Sequence, residues 1–326
     1  MSIKKLDTIS QLIKEELSQF NDLFKQSMKS NVGLVDLVAR YILKQKGKKI
    51  RPLLVLLSGK IAGGINQRTY RGAILVELLH TATLIHDDVV DAADKRRGLP
   101  SINAIWKNKV SVLMGDYLLS RGLMIAVEGK DFDFLEIITD AVRRMSEGEL
   151  LQISKTRKLD IDEETYFRII SDKTASLLST CCQIGTASSS ESTDYRESMR
   201  KFGENIGIAF QIRDDILDYI GTSSIIGKPL GGDIKEKKIT LPLIYSLKNA
   251  TKQEASKVID LVKNGKNKGG IKEIINFVNK YDGINYANNI ALDYSEKAKE
   301  NLNIFPDCTS KTALQALVDF VIARTN

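Results

Sequence analysis

Cysteine, proline and histidine are scarce in this chain of 326 residues. The three cysteines, of which Cys181 and Cys182 are adjacent, provide neither a disulfide framework nor the spacing of a zinc site. Only five prolines interrupt the chain, so long stretches are open to continuous helices. The segment Met1–Gln19 is polar and charged, which is not the composition of a secretory signal. We therefore expect a reducing, cytoplasmic setting.

The net charge of +7 is compatible with nucleic acid, an anionic membrane or polyanionic small molecules as partners. No zinc-finger spacing, aromatic RNA-binding motif or compact basic arm accompanies the scattered lysines, so we expect no nucleic-acid partner. No apolar run has the length that a bilayer-spanning helix needs, and we expect no transmembrane segment.

Apolar residues recur at helical spacing along most of the chain. In the stretch Leu135–Met145 they lie three and four positions apart, with Asp131 or Asp133 available as an N-terminal cap. A second periodic stretch, Ile161–Cys182, follows Asp160. Strand-like alternation bounded by hairpin turns is absent from the sequence. The pattern predicts an all-α fold.

Two stretches, Ile74–Val90 and Ile206–Ile220, are apolar on almost every face, which predicts two helices buried in the middle of a bundle. Each ends in an aspartate cluster with the same spacing. The clusters consist of Asp87, Asp88 and Asp91, and of Asp214, Asp215 and Asp218. We expect the helices to lie side by side, with their acidic ends facing each other across the mouth of a deep apolar cavity.

The spacing within each cluster predicts a metal site. Residues four apart share a helix face, so Asp87 stands beside Asp91 and Asp214 beside Asp218. Carboxylates held this close raise each other's pKa unless a cation lies between them. Mg²⁺ suits such a pair, since it keeps several waters and takes its other ligands from carboxylates and substrate phosphates. A solvated acidic helix end is the alternative for either cluster alone.

Cationic side chains recur near breaks in the helical pattern. They are Lys48, Arg51, Arg96, Arg97, Lys173, Lys228 and Lys238. Arginine presents a planar fork to phosphate, and lysine presents a point charge. Lys173 is the most informative of them, because a lysine inside an apolar helix requires an anion. Surface solvation is the alternative for each of the others.

The ordered set of motifs resembles the trans-prenyl diphosphate synthases, the all-helical polyprenyl synthetase family. The resemblance spans residues 40–250 and is closest to the long-chain, octaprenyl and heptaprenyl, type. Besides the two aspartate clusters and Arg96-Arg97-Gly98, the motifs are Gly47-Lys48-Lys49-Ile50-Arg51-Pro52, Glu77-Leu78-Leu79-His80, Gly115-Asp116-Tyr117, Lys173-Thr174-Ala175-Ser176, Phe210-Gln211, Gly227-Lys228-Pro229, Gly232-Asp233, Lys238 and Thr240-Leu241-Pro242.

The resemblance implies one isoprenoid-synthase bundle over residues 1–326, with a deep central cavity and two diphosphate sites. Asp87, Asp91 and Asp214 would bind three Mg²⁺ ions, with Asp88, Asp215 and Asp218 completing the clusters. The allylic diphosphate would contact Arg96, Lys173 and Lys228, assisted by Thr174, Gln211 and Lys238. Isopentenyl diphosphate would bind Lys48, Arg51, His80 and Arg97, with Phe210 beside it. The alternative for His80 is a satisfied core histidine. Many relatives have glycine where this chain has Lys237, which leaves open whether Lys237 or Lys238 reaches phosphate.

Two small residues predict a long product. In short-chain members of the family an aromatic side chain commonly occupies one of the positions just before the first cluster and closes the cavity. Ala82 and Thr83 stand there in this chain, so we expect the prenyl tail to pass. Candidates for a deeper floor are Met114, Leu118 and Met124. Ordinary packing is the alternative role of Ala82 and Thr83.

The resemblance implies an Mg²⁺-dependent prenyltransferase that condenses isopentenyl diphosphate with an allylic diphosphate repeatedly. The product would be a long all-trans polyprenyl diphosphate, a precursor of quinone side chains. A homodimer and a peripheral membrane contact for product release are further expectations. The alternatives are a short-chain synthase, a class I terpene cyclase, which would usually lack the second cluster, and a non-catalytic synthase subunit, which would have lost aspartates.

Overall fold

The computed structural model describes residues 8–45, 47–96, 98–220, 231–264 and 268–323. Most of this part of the chain is helical, which confirms the predicted all-α fold. The helices are α1 (Lys14–Ser27), α2 (Gly33–Lys44), α3 (Ile50–Ala62), α4 (Gln67–Val90), α5 (Ile102–Glu128), α6 (Phe132–Lys158), α7 (Glu163–Ile170), α8 (Ser176–Ala187), α9 (Thr193–Ile220), α10 (Gly232–Lys235), α11 (Leu241–Asn249), α12 (Lys252–Asn264), α13 (Lys268–Lys280), α14 (Gly283–Asn301) and α15 (Thr309–Ile322). The single domain over residues 1–326 stays a prediction.

Helix α4 carries the first aspartate cluster and packs against α3 and α5. It begins with a capping box, in which the Asn66 side chain accepts a hydrogen bond from the Thr69 backbone N–H at 3.0 Å. Near its other end, Gly115 of α5 lets the two helices approach closely, since a Cβ there would lie 2.1 Å from His86 Nε2. His86 Nε2 lies 3.2 Å from the Val112 carbonyl oxygen of α5. The acidic end of α4 is thereby held against α5.

Helix α9 carries the second cluster and contributes to two hydrophobic cores. Its first half, with Phe202 and Ile206, packs into a core that also contains α3, α4 and α8. Its second half, with Ile212 and Ile216, packs into a core built with α7 and α11–α14. Each fully buried side chain of this size contributes about 1.5–3 kcal/mol. The first aspartate cluster therefore ends a helix of the first core, and the second cluster ends the half of α9 that packs into the second core.

The stretch predicted as one helix, Ile161–Cys182, is interrupted by a π-helical segment, Ser171–Ala175. This segment is clamped between α6 and α9 at two glycines. A Cβ on Gly148 of α6 would lie 3.0 Å from the backbone nitrogen of Lys173, and one on Gly207 of α9 would lie 2.5 Å from Ala175 Cα. Single π turns inside helices occur frequently at functional sites.

A hairpin of two short strands follows α4. Strand β1 (Lys95–Arg96) pairs antiparallel with β2 (Leu99–Pro100). The hairpin is fixed to α2 because the Tyr41 hydroxyl donates to the Pro100 carbonyl oxygen at 2.7 Å. Strands this short are invisible to a period-two pattern, since the alternation needs several residues to be recognised.

The sequence predicts no apolar stretch long enough to span a bilayer. Among the described residues, however, α5 is long and apolar enough to cross a membrane by length and composition. A share of 33% of its most apolar window is buried inside the protein. Helices that pack within globular cores meet the same criterion, and α5 packs along α4. Apolar side chains on its other face are exposed, among them Leu113, Met124 and Val127.

Candidate active site

The first aspartate cluster occupies the last turn of α4. The helix ends in a Schellman motif, in which the Ala93 N–H donates to the Asp88 carbonyl oxygen at 2.9 Å and Ala92 adopts φ 48°. Helix C-termini carry partial negative charge, so carboxylates there are unfavourable. Asp87 and Asp91 are nonetheless both at this end and both exposed. A bound cation would offset this concentration of negative charge.

Asp88 differs from its neighbours because it is buried and already paired. Its Oδ1 accepts hydrogen bonds from Arg96 Nε at 2.8 Å and from Arg96 Nη2 at 2.5 Å. Arg96 lies on β1, so the hairpin turns its guanidinium back onto the end of α4. The roles predicted for Asp88 in metal binding and for Arg96 in phosphate binding stay predictions.

The pKa of Asp87 is raised above its ordinary value. Partial burial of the carboxyl is the largest cause, and the charges of Glu149 and Asp91 add to it, whereas Lys173 and Arg96 lower it. Glu149 lies on α6 and Lys173 on the π-helical segment. Both therefore lie within electrostatic reach of the first cluster.

Lys173 has the anionic partner that its apolar surroundings require. Its ammonium forms an ion pair with Glu149 and donates to Gln152 Oε1 at 3.2 Å. Gln152 lies one turn after Glu149 on the same face of α6. The π-helical segment thus directs Lys173 towards α6 and the first cluster.

In the second cluster, Asp215 is buried and both of its carboxylate oxygens accept hydrogen bonds. Tyr166 donates its hydroxyl to Oδ2 at 2.7 Å, and Gln211 donates Nε2 to Oδ1 at 2.8 Å. The Thr174 hydroxyl in turn donates to Gln211 Oε1 at 2.9 Å. Burial, followed by the charge of Asp233, raises the pKa of Asp215 well above its ordinary value. This chain of hydrogen bonds fixes α9 relative to α7 and the π-helical segment.

Asp218 organises the segment that begins at Gly231. Its Oδ1 accepts from the Gly232 N–H at 2.9 Å, and its Oδ2 accepts from the Asp233 N–H at 3.0 Å. It therefore holds the start of α10 against the end of α9. Burial and the charge of Asp218 raise the pKa of Asp233 to about 6. Asp214 is the exposed member of this cluster.

Helix α10 ends in a second Schellman motif. The Lys238 N–H donates to the Asp233 carbonyl oxygen at 2.8 Å, and the Lys237 N–H donates to the Ile234 carbonyl oxygen at 3.0 Å. Lys237 stands at the left-handed position, with φ 59°. Glycine is favoured at that position, which gives a physical reason for the glycine of many relatives. Lys237 is exposed, whereas Lys238 lines the cavity described next.

One cavity of about 100 Å³ brings together most of the residues predicted for the allylic side. The predicted residues that line it are Lys173, Thr174, Gln211, Asp215 and Lys238. Tyr166, Gln152 and Asp233 line it as well. The Lys238 ammonium pairs with Glu236 at 2.5 Å. The cavity thus has two cations on its wall and a buried carboxylate behind them.

A second cavity of about 80 Å³ lies between α1, α2 and α4, and Asp88 and Arg96 both line it. The lysine that lines this cavity is Lys49, which donates to Asn21. Burial lowers the pKa of Lys49, and the charge of Glu77 raises it. The ammonium of Lys48, predicted for this pocket, instead lies 5.9 Å from the Phe320 ring centroid.

Three other predicted residues, His80, Arg51 and Phe210, are buried or partly buried. His80 is buried. The charges of Arg51 and Glu77 both reach the buried thiol of Cys181. Phe210 is partly buried against the first core. Arg97 and Lys228 lie outside the described residues, so the structure places neither of them.

The residues predicted to set chain length differ in environment. Ala82 is 1% exposed, and Thr83 is half-buried with its hydroxyl donating to the His80 carbonyl oxygen at 2.9 Å. Of the floor candidates, Met114 and Leu118 are buried. Met124 is 51% exposed on the outer face of α5, so it is wrong as an interior floor.

Four residues of the site were not predicted from the sequence, namely Glu149, Gln152, Tyr166 and Asp233. The spacing of Glu149 and Gln152 on one helix face was a weak signal, and Asp233 stood within a recognised motif. No sequence signal marked Tyr166, because an aromatic residue at helical spacing predicts core packing.

The carboxylates that remain exposed are Asp87, Asp91 and Asp214. Within the described ranges, no group of three or more His, Cys, Asp or Glu is arranged to hold a metal ion alone. Mg²⁺ is bound through one or two carboxylates together with waters and substrate phosphates. An all-oxygen pair on the last turn of a helix fits that requirement.

The chain is similar to known proteins over nearly its whole length. The polyprenyl synthetase family matches residues 33–278. The chain is 31% identical to the octaprenyl diphosphate synthase of Escherichia coli, over 98% of this chain and 99% of that protein. It is 33% identical to the geranylgeranyl diphosphate synthase of Saccharolobus solfataricus, over 98% of each. The crystal structure of a polyprenyl synthase from Caulobacter crescentus, complexed with calcium and isoprenyl diphosphate, matches with a TM-score of 0.90, 32% identity and 98% coverage of both chains.

Proposed function

The chain belongs to the polyprenyl synthetase family and is a trans-prenyl diphosphate synthase, and on that premise we propose its metal, its product and its site residues. It uses Mg²⁺ to condense isopentenyl diphosphate repeatedly with an allylic diphosphate. The product is a long all-trans polyprenyl diphosphate, which serves as a quinone side-chain precursor. The enzyme acts in the cytoplasm.

One observation carries the proposal: two aspartate clusters end two buried helices, with cationic side chains between them. Asp87 lies within electrostatic reach of Lys173, and Asp215 shares a cavity with Lys173 and Lys238. Alternating anionic and cationic groups of this kind suit a ligand that carries both a metal and phosphates.

The exposed carboxylates, Asp87, Asp91 and Asp214, are the residues that would hold Mg²⁺. When bound, the metal supplies Lewis-acid stabilisation of charge on a departing diphosphate. The chain's contribution is to present two acidic helix ends at which negative charge is otherwise unfavourable. The carboxylates of Asp88, Asp215 and Asp218 act indirectly on the metal site, since each already accepts a hydrogen bond from a donor of the protein.

The cationic side chains bind the leaving diphosphate. Lys173 exchanges its partner Glu149 for phosphate oxygens, and Lys238 does the same with Glu236. Both exchanges replace one charge pair by another, so neither cation is left buried alone. As the allylic bond breaks, the apolar walls contributed by Ile169 and Ile170 exclude water from the carbocation.

The product extends beyond the short-chain length because α4 carries the small residues Ala82 and Thr83 about one turn before Asp87. An extended isoprene unit is about as long as one helical turn, about 5 Å, so about six to eight units need a path several turns deep. Helices α4 and α5, which pack along each other, have that length. The names of the relatives, octaprenyl and geranylgeranyl, cover both long and short products.

Two copies of the chain assemble through the outer faces of α5 and α6. Both helices expose large apolar side chains, including Val112, Leu113 and Val127 on α5 and Leu150 and Ile153 on α6. Exposed apolar surface of this kind is expected at an interaction site. A peripheral membrane contact receives the long apolar product.

Product chromatography tests this function directly. The protein is incubated with labelled isopentenyl diphosphate, an allylic primer and Mg²⁺, and the dephosphorylated products are separated by length. We expect a ladder that ends at about six to eight units. Chelation of the metal should stop product formation, and restored Mg²⁺ should return it. Continued incorporation of label in the presence of the chelator would refute the metal requirement. A ladder that ends at about three or four units would refute the long-chain assignment alone.

A further inference from the structure

A stripe of exposed apolar side chains covers the beginning of α2. Leu34, Leu37 and Leu43 are exposed by 48%, 54% and 37%, and Val32, just before the helix, is exposed by 60%. Leu34 and Leu37 lie three residues apart, so they share one helix face and form the stripe, whereas Leu43 lies nearer the end of α2 on another face. Four large apolar side chains at one helix would be unfavourable in water without a partner.

Basic side chains surround this stripe. Lys25 and Lys29 come from the end of α1 and the turn after it, and Arg40 and Lys44 come from α2. Among the described residues, the ammonium groups of Lys25, Lys29 and Lys44 form no ion pair with a carboxylate. Arg40 pairs with Asp36 at 2.6 Å, and its side chain is 74% exposed. The surface formed by α1 and α2 is therefore both apolar and cationic.

The cations line a groove together with Asp36 and Leu43, whereas Leu34 and Leu37 are not part of its wall. Its volume is about 490 Å³, and the buried side chains of Met28 and Ala39 form part of its wall. A groove with an apolar wall and a cationic rim fits a ligand that has an anionic head and an apolar tail. Inorganic phosphate would use the cations and leave the apolar stripe exposed.

A second copy of this chain is a poor occupant. A two-fold interface places the same patch on both subunits, so the four cations would face the same four cations. Like charges in contact are strongly unfavourable. The charge pattern instead complements an anionic surface into which leucines can insert, as amphipathic interfacial helices do.

We propose that the α1–α2 surface, comprising Lys25, Lys29, Val32, Leu34, Leu37, Arg40, Leu43 and Lys44, docks the protein on anionic lipid bilayers. This rests on the proposed function for its purpose, since a long prenyl product is itself a lipid. Leu43 lines both this groove and the cavity that contains Asp88 and Arg96. Helix α2 alone therefore separates the docked bilayer from the edge of the site.

Vesicle flotation tests the proposal with the full chain. The vesicles contain phosphatidylcholine alone or with about one third phosphatidylserine, at low and at moderate salt. We expect binding to the anionic vesicles only, weakening as salt is raised because surface charges are screened. Binding to neutral vesicles at the same strength would refute the role of the cations.

Two variants and one control separate the contributions. The charge variant is Lys25→Gln, Lys29→Gln and Lys44→Gln, and the apolar variant is Leu34→Ser and Leu37→Ser. The control changes three exposed lysines of other helices, Lys248→Gln, Lys252→Gln and Lys272→Gln. We expect the charge variant to bind anionic vesicles more weakly by about fivefold for each charge removed, and the control to bind as the wild type does. Equal loss in both lysine variants would show that only net charge matters and would overturn the proposal.

Two further readouts distinguish bilayer docking from catalysis and from subunit assembly. Prenyl transfer to a short, soluble primer without vesicles should be unchanged in the charge variant, so loss of docking and failure of the proposed function give different results. The molar mass of the apolar variant, measured by light scattering, should equal that of the wild type. A change from dimer to monomer would mean that this surface is a subunit interface, and the proposal would fall.

Discussion

Asp87 and Asp88 are adjacent in sequence but lie in opposite environments. Asp87 is exposed at the end of α4, and Asp88 is buried against the Arg96 guanidinium. The second cluster repeats this division, because Asp214 is exposed and Asp215 is buried beneath Tyr166. Within each pair the first carboxylate is accessible to ligands, and the second fixes its helix end to a neighbouring element.

We expect Asp87→Ala and Asp214→Ala each to lower turnover by about a thousandfold or more, since a metal ligand contributes several kcal/mol to the barrier. Steady-state turnover at saturating Mg²⁺ measures this. Asp194→Ala is the matched control, at the far end of the same helix as Asp214. Near-normal turnover in either cluster variant would contradict the assignment.

The same substitution at Asp87 should stabilise the metal-free protein. The raised pKa of Asp87 means that folding disfavours its charged form. Its contribution is therefore destabilising above the folded-state pKa and disappears as the pH falls below the unfolded-state pKa. Urea unfolding without metal should show a gain for Asp87→Ala at neutral pH and none in acid. An equal gain at both pH values would contradict an electrostatic origin of the gain.

Tyr166→Phe should lower the free energy of unfolding by about 1–3 kcal/mol, because it leaves an oxygen of buried Asp215 without its donor. It should also raise the Michaelis constant for the allylic substrate, since Asp215 positions Gln211. Tyr281→Phe is the control, because that hydroxyl donates to Glu254 away from the site. Unchanged unfolding and kinetics in Tyr166→Phe would show that the hydrogen bond has no positioning role.

The spacing of the aspartates could be read from the sequence, because helical periodicity alone decides which carboxylates share a face. Their division into exposed and buried members could not, since it depends on Arg96 and Tyr166, which come from other elements. The same holds for Lys48 and Lys49. Adjacent lysines at a turn point in different directions, and only the structure shows that Lys49 lines the cavity.

At the scale of elements, helix interiors were predicted better than helix ends. The apolar stretch Ile206–Ile220 lies within α9, but its first turns are polar on one face and gave no such signal. Asp131 stands at the predicted N-terminus of α6, yet its side chain binds Arg68 at 2.9 Å and Arg71 at 2.7 Å instead of capping the helix. Arginines from a distant helix override a local preference here.

The π-helical segment shows a further limit of sequence reasoning. Its five residues, Ser171–Ala175, are flanked on both sides by apolar residues at helical spacing, so periodicity does not reveal it. The widened turn follows from tertiary packing, because Gly148 and Gly207 allow α6 and α9 to approach it from two sides. Its consequence is the direction of Lys173 towards Glu149.

The end of α10 separates the roles of two adjacent lysines. Lys237→Gly should retain activity and leave the free energy of unfolding unchanged or raise it by up to about 1 kcal/mol, since glycine adopts the left-handed conformation without strain. Lys238→Ala should raise the allylic Michaelis constant about tenfold, because it removes a cation from the cavity wall. If the two variants lose activity equally, the assignment of phosphate binding to Lys238 is wrong.

Helix α4 also provides the test of product length. Thr83→Phe should shorten the product to about three or four units while condensation continues, because the ring would obstruct the path one turn before Asp87. Thr83→Val is the control, with a similar volume and no hydroxyl. Ala82 is less suitable, since Phe at a position that is 1% exposed would overpack the core. Unchanged product length in Thr83→Phe would show that the tail takes another path.

At the scale of the whole molecule, the two cavities share no lining residue, which favours two separate substrate sites. Arg51→Ala should raise mainly the Michaelis constant for isopentenyl diphosphate, and Lys173→Ala mainly that for the allylic diphosphate. Each constant is measured with the other substrate saturating. Impairment of the same substrate by both variants would contradict the two-site arrangement.

Because the site lies between the two hydrophobic cores, a bound substrate would stabilise the folded enzyme. A metal diphosphate held between Asp87 and Asp214 would join the end of a helix in one core to the end of a helix in the other. At a hundred times its dissociation constant, a ligand adds about 2.7 kcal/mol to the free energy of unfolding. The half-life in a protease, with and without an unreactive allylic analogue and Mg²⁺, measures this gain. A cell short of isoprenoid precursors would then degrade this synthase faster, and its abundance would follow the supply of its own substrate.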